Sequence, residues 1–252
     1  MSRIGYKSIS SGSKGNCSIV WDDENLLVFD FGISLRRFRN PVLELGAPMD
    51  AVSVFITHEH SDHASGLGIL KKNLSVDLYT RNRTAMAIGI ESYTIKNELV
   101  LGNFRVSAVS VSHDAVDPVA YIVENGNAKI SIVSDLGYPD ENLITKMSGS
   151  DLLAVEANHD LGMLMEGSYP QVLKKRISSN HGHLSNEQSA ELIGKVCKAD
   201  SDIVLTHLSQ ENNTPEIATA TVRKHLEGNG IRYSSLSCAS QSDGSRVYYL
   251  EI

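Results

Sequence analysis

Apolar positions along this chain fall in short runs bounded by glycine, aspartate, asparagine and serine, a pattern of many short strands. Weak alternation over residues 5–10 meets the small-residue turn Ser11-Gly12-Ser13-Lys14-Gly15-Asn16. Residues 17–21 and 26–29 then read as strands joined by a turn at 22–25, so the chain opens as successive hairpins. Residues 33–46 predict a short, partly basic helix interrupted by Pro41. The continuous apolar run 51–56 reads as a buried strand. Short helices at 66–72 and 81–89 flank a strand at 76–80. Residues 104–111 alternate as a strand, and 118–123 with 129–133 form a hairpin around Glu124-Asn125-Gly126-Asn127. Beyond it the pattern predicts a helix at 141–148, a buried strand at 151–155 and a helix at 170–177. A further helix at 186–197 is capped by Ser185, with Glu187 and Gln188 in its first turn. A strand at 202–205, a helix at 215–228 opening on Pro215 and closing strands at 231–235 and 245–250 complete the chain.

What recurs is a polar residue where a strand ends: Asp30, His58 and His60, His113, Asp135, Glu156 and His207. In layered α/β architectures function gathers where strands run out into loops. The densest case is His58-Glu59-His60-Ser61-Asp62-His63, directly after the strand at 51–56. Residues two apart share a strand face, which directs His58 and His60 to one ion. Beyond the turn at Ser61, Asp62 and His63 can face a second. Imidazole nitrogens with a carboxylate suit zinc, and manganese or iron where more oxygens enter the shell. Structural zinc sites are closed by four protein ligands, whereas this set serves two ions with positions left open, which disfavours a non-enzymatic, metal-stabilised binding protein.

Composition narrows the classes further. The chain has 252 residues, 41% hydrophobic and 21% charged, enough for one large core, so the expectation is a single domain over 1–252. A formal charge of −7 excludes a wholly basic clamp, leaving any grip on nucleic acid to local patches or metals. The start Met1-Ser2-Arg3-Ile4-Gly5-Tyr6 carries no long apolar segment and no run approaches a membrane span. Cys17, Cys197 and Cys238 fit no disulfide framework. A cytoplasmic location without membrane association is expected, and no obligate protein partner is implied. Several features keep two readings. The loop 11–16 is either a plain turn or a phosphate cradle of N–H groups, hydroxyls and Lys14. Asp30 either caps a turn or orients a metal-binding histidine. Arg36, Arg37 and Arg39 are a solvated face or contacts to a nucleic-acid backbone. His159 and His181 read as surface or packing residues before groove residues, and His225 as a surface residue.

Taken to His207, the pattern resembles the metallo-β-lactamase superfamily. The resemblance implies an α/β fold, a four-layer αββα sandwich with a two-metal site. Asp30 matches the first motif, His58-x-His60-x-Asp62-His63 the second, His113 the third, Asp135 the bridging aspartate and His207 the last. Ser11 to Cys17, Gly182-His183-Leu184-Ser185-Asn186 and His207 to Asn213 resemble the YycJ/WalJ/VicX-like branch, regarded as 5′-to-3′ DNA exonucleases. By that resemblance His58, His60 and His113 form one metal site and Asp62, His63 and His207 the other. Asp135 bridges them and Asp30 stands behind. Glu156 and His183 resemble the pair that manages protons in tRNA-processing relatives, with a bland alternative of structural acceptor and helix cap. The interval from Asp135 to His207, 72 residues, is too short for the inserted domain of larger nuclease relatives.

The implied chemistry is metal-dependent phosphodiester hydrolysis by a metal-bridging hydroxide, with Asp62, Asp135, Glu156 and His183 in catalytic roles. The expected partner is nucleic acid, specifically DNA ends, gripped by Ser11, Ser13, Lys14, Asn16, Asn212 and Asn213. Arg36, Arg37, Arg81 and Arg83 add basic groups, without base preference. The alternative on the same metals is a small-molecule phosphodiester, thioester or lactam hydrolase.

Overall fold

The computed structural model describes residues 3–252, and two seven-stranded sheets dominate it. In the first, β1 (Arg3–Ser10), β2 (Cys17–Trp21) and β3 (Leu26–Phe29) are antiparallel neighbours. β4 (Val52–Phe55), β5 (Val76–Thr80) and β6 (Tyr93–Thr94) extend it in parallel from β3. In the second, β7 (Glu98–Leu101), β8 (Phe104–Ser110), β9 (Val119–Asn125) and β10 (Ala128–Val133) form an antiparallel meander. β11 (Ser150–Glu156), β12 (Cys197–Thr206) and β13 (Ser235–Cys238) continue it in parallel, and β14 (Tyr248–Glu251) returns to pair with β1.

Successive strand residues point to opposite faces, and both faces are covered, which is why these strands read as unbroken apolar runs. In β3, Leu27 and Phe29 join the layer between the sheets while Leu26 and Val28 join the layer outside. The inter-sheet core gathers Tyr6, Phe29 and Phe55 from one sheet and Phe104, Tyr121 and Ile130 from the other. Phe55 stacks on Phe29 at 5.3 Å and on Tyr79 at 5.1 Å, and meets Tyr121 edge-on at 5.5 Å. Outside the first sheet lie α1 (Leu35–Leu45), through Phe38 and Val42, and α3 (Leu67–Asn73), through Leu67 and Leu70. Outside the second lie α5 (Glu141–Met147), α8 (Asn186–Val196) and α9 (Pro215–Gly228). Helix, sheet, sheet, helix is the expected four-layer αββα order.

Three local expectations are corrected. α1 runs through Pro41 unbroken, because Phe38 and Val42 are wholly buried and their packing outweighs the lost hydrogen bond. The closing strands lie later than expected. Ile231 and Tyr233 pack against the helical layer instead, and Gly244, at φ 66°, turns the chain so that Tyr248 registers with Tyr6. Residues after His60, read as a turn, form a one-turn helix, α2 (Ser61–Ala64). The remaining helices are α4 (Asn82–Ile88), α6 (Leu161–Glu166) and α7 (Gln171–Ile177). No helix among the described residues is long and apolar enough to cross a membrane.

Candidate metal centre

The carboxyl ends of six strands deliver the polar residues to one edge between the sheets. Asp30 follows β3, His58 follows β4, His113 follows β8, Asp135 follows β10, Glu156 ends β11 and His207 follows β12. Asp30, Asp135 and His207 are also the non-glycine residues with positive φ among those described, at 59°, 54° and 52°. Such backbone costs about 1–3 kcal/mol each and persists where surrounding contacts over-determine it. Here those contacts are on hand. Asp30 accepts from the Thr57 N–H at 2.9 Å, Asp135 N–H donates to Glu156 at 2.9 Å, and His207 N–H donates to Ser11 Oγ at 2.7 Å.

Five imidazoles of the cluster are each held by one nitrogen and present the other. His63 Nδ1 lies 2.7 Å from Asp30 Oδ2, so that nitrogen carries the proton toward an acceptor-only carboxylate. Thr57 Oγ1 reaches both Asp30 oxygens, at 2.9 and 3.0 Å, and lies 2.9 Å from His58 Nδ1. His113 Nδ1 donates to the Gly182 carbonyl at 3.1 Å. His207 Nδ1 and His183 Nδ1 both donate to Glu156 Oε2, at 3.2 and 2.9 Å. His60 instead turns Nδ1 inward, 3.4 Å from His113 Nε2.

The inward atoms form overlapping groups, each within 4.8 Å of one another: His58, His60 and His113; His58, His63 and Asp135; Asp62, His63 and His207. Asp135, Glu156, His183 and His207 make a fourth. Asp135 Oδ2 is 3.0 Å from His63 Nε2, and its Oδ1 is 3.8 Å from His113 Nε2, so the carboxylate spans the two halves. His58 Nε2 and Asp135 Oδ2 are buried without a hydrogen-bond partner. Buried lone pairs left unpaired are costly, and a cation shared among neutral imidazoles and carboxylates satisfies them. The donor set fits divalent metal.

Electrostatics within the cluster follow from burial opposed by charge. Burial pushes the Asp135 and Asp62 carboxyls up, but neighbouring histidines outweigh it and hold both well below the usual range. Burial likewise favours a neutral His207, yet Asp135, Asp62 and Glu156 raise it to about 10. Glu156 is wholly buried, and His183 and His207 overcome that burial to hold it down to about 2. His58 and His113 are lowered, burial being the largest cause.

Glu156 and His183 do touch, and Glu156 also accepts from the Leu184 N–H at 2.7 Å. Asn16 donates to Asp62 Oδ2 at 3.0 Å, and its backbone N–H donates to the Asp62 carbonyl at 2.7 Å. Gly32 permits this approach, since a Cβ there would lie 1.6 Å from the Asp62 carbonyl oxygen.

The expected substrate-gripping residues divide between buried and exposed positions. The N–H groups of Ser11, Gly12, Lys14, Gly15 and Asn16 are each bonded within the chain. Ser11 and Asn16 are buried and serve His207 and Asp62. Asn213 is spent on Asn186 and the Ala157 carbonyl, and Asn212 is buried as well. Ser13 and Lys14 are exposed. Arg37 and Arg81 donate to main-chain carbonyls, tying loops together, while Arg36 and Arg83 are exposed. His181 is exposed and His159 buried. Thr57 was not singled out from sequence; its place between the strand end and His58 was the available signal.

Comparison with known proteins agrees with this geometry. The family model of the β-lactamase superfamily domain matches residues 25–208. Exodeoxyribonuclease YycJ of Bacillus anthracis is 32% identical over 241 residues, covering 90% of both chains. Exodeoxyribonuclease WalJ of Streptococcus pneumoniae is 34% identical over 242 residues, with the same coverage. Among solved structures, the metallo-β-lactamase fold protein YhfI from Bacillus subtilis superposes with a TM-score of 0.72 at 15% identity, covering 99% of this chain and 100% of the other.

Proposed function

Because this chain belongs to the metallo-β-lactamase superfamily, in its YycJ/WalJ branch, we propose that it is a metal-dependent phosphodiesterase, a 5′-to-3′ DNA exonuclease of the cytoplasm. The observation that carries the reading is the joined ligand groups: His58, His60 and His113 on one side, Asp62, His63 and His207 on the other, Asp135 between. These seven residues would hold two divalent ions, zinc, manganese or iron. Ions bound there supply Lewis-acid polarisation of a phosphoryl oxygen and activation of water at neutral pH. Everything else falls to the chain. Asp30 and Thr57 hold His63 and His58 in the tautomer that presents Nε2. Glu156 does the same for His207 and His183. His183, half-buried and raised above its ordinary value because Glu156 outweighs its burial, keeps a proton for the leaving 3′ oxygen.

Support for a DNA substrate comes from the relatives, both named exodeoxyribonucleases over 90% of their length. Metal-stripped protein should leave single- and double-stranded DNA intact, and adding back manganese, zinc or ferrous ion should restore degradation. Hydrolysis of small diesters alone, with DNA untouched under every metal, would replace this reading by the small-molecule one.

A further inference from the structure

On the His183 and His207 side of the cluster opens a cavity of about 210 Å³. Its apolar walls are Tyr169, from the link between α6 and α7, Leu173 and Ile177 of α7, and Leu208 just past β12. Leu173 and Ile177 lie four apart on α7 and so share one face. The walls are built in. Lys174, itself buried, straps α7 to α6 by donating to the Met165 carbonyl at 2.6 Å. Gly182 packs so tightly beneath α7 that a Cβ would fall 2.1 Å from the Ile177 carbonyl oxygen.

Size and lining define the occupant. At about 210 Å³ the cavity falls below the roughly 300–1,000 Å³ of clefts for drug-sized ligands, room for one flat ring system and not for a dinucleotide. Aromatic and aliphatic walls suit a heteroaromatic face. Ser13, Asn158, Arg176 and Ser209 line the cavity as well, Asn158 donating to the His207 carbonyl at 3.0 Å and Arg176 Nε to Asp114 at 2.5 Å, and no carboxylate lines it. Because His183 and His207 line it too, a ring held there stands beside a phosphate at the metal cluster.

We propose that this cavity is a nucleobase subsite for the nucleotide adjoining the attacked phosphodiester, with Tyr169 as its stacking surface; the assignment rests on the nuclease reading above. The test uses DNA ends carrying an abasic residue at either position flanking the first phosphodiester, against intact ends. One abasic position should slow the wild type about 5- to 150-fold, the range expected for one base stacked on an aromatic ring. Tyr169→Ala should cleave intact and abasic ends at the same rate, while Tyr169→Phe should retain the wild-type preference. Equal wild-type rates on intact and abasic ends would overturn the subsite and leave the nuclease reading standing. If no DNA is cleaved, the nuclease reading falls, and saturation-transfer NMR decides the cavity. Deoxynucleoside monophosphates should then show base-proton contacts that Leu173→Trp abolishes, and binding no better than that of deoxyribose 5-phosphate would overturn it.

Discussion

Glutamine at Glu156 separates charge from shape at the point where three strand ends are tied together. In the native protein Oε2 accepts from the Asp135 N–H at 2.9 Å, His183 Nδ1 at 2.9 Å and His207 Nδ1 at 3.2 Å. Oε1 accepts from the Leu184 N–H at 2.7 Å and the Leu136 N–H at 3.4 Å. An amide replaces one of these oxygens with a donor, and whichever side it takes, it confronts at least two N–H groups. Each buried group left without an acceptor costs about 1–3 kcal/mol, so Glu156→Gln should lose about 2–6 kcal/mol. In a chain of this length that lowers Tm by roughly 5–20 °C. His183 and His207 also lose the acceptor that fixes their tautomers, which should weaken metal binding or activity about 10- to 100-fold. Thermal melts with and without metal, and a metal titration, read both effects. A melting temperature within about 2 °C of wild type together with unchanged metal affinity would refute the organising role given to Glu156.

Other substitutions probe separate parts of the account. Gly32→Ala forces a Cβ to within 1.6 Å of the Asp62 carbonyl oxygen, so α2, which carries Asp62 and His63, must shift. Metal content per chain, by elemental analysis, should fall below wild type; full occupancy would contradict the packing argument. Phe55→Ala removes the ring joining Phe29, Tyr79 and Tyr121, and should cost about 3–5 kcal/mol in a denaturant melt; a loss below about 1 kcal/mol would show that this cluster does not carry the inter-sheet core. Burial pushes the Cys17 thiol well above its ordinary value, so iodoacetamide at pH about 8 should spare it until the chain unfolds. Native Cys17 labelling as fast as that of half-buried Cys197, followed by mass spectrometry, would be the contrary result.

The strands were legible because apolar runs bounded by turn residues mark them, and polar residues recur at their ends; the four-layer order itself came from the resemblance those strand-end residues carry. The histidine and aspartate cluster was legible for the same reason: strand ends converge at one edge, and six of them carried metal-competent or carboxylate side chains. Edge strands β6 and β7 were not, since half-exposed Tyr93 to Leu101 shows no run long enough to read. The burial of Ser11, Asn16 and Asn213 was not legible, because a polar side chain in a small-residue loop looks the same whether it faces water or a buried backbone. Only the fold shows that these loops close onto Asp62, His207 and α8. Pro41 misled for a related reason, local propensity yielding to the packing of Phe38 and Val42.

The most direct measurement is a time course on DNA labelled at either end, with a 5′ phosphate or hydroxyl, in manganese or zinc, beside matched RNA and an Asp135→Ala control. Stepwise loss of nucleotides from the 5′ end of DNA by the wild type, absent in the variant, is the expected result. DNA left intact under both metals, or degraded equally by Asp135→Ala, would contradict a nuclease built on the Asp135 cluster.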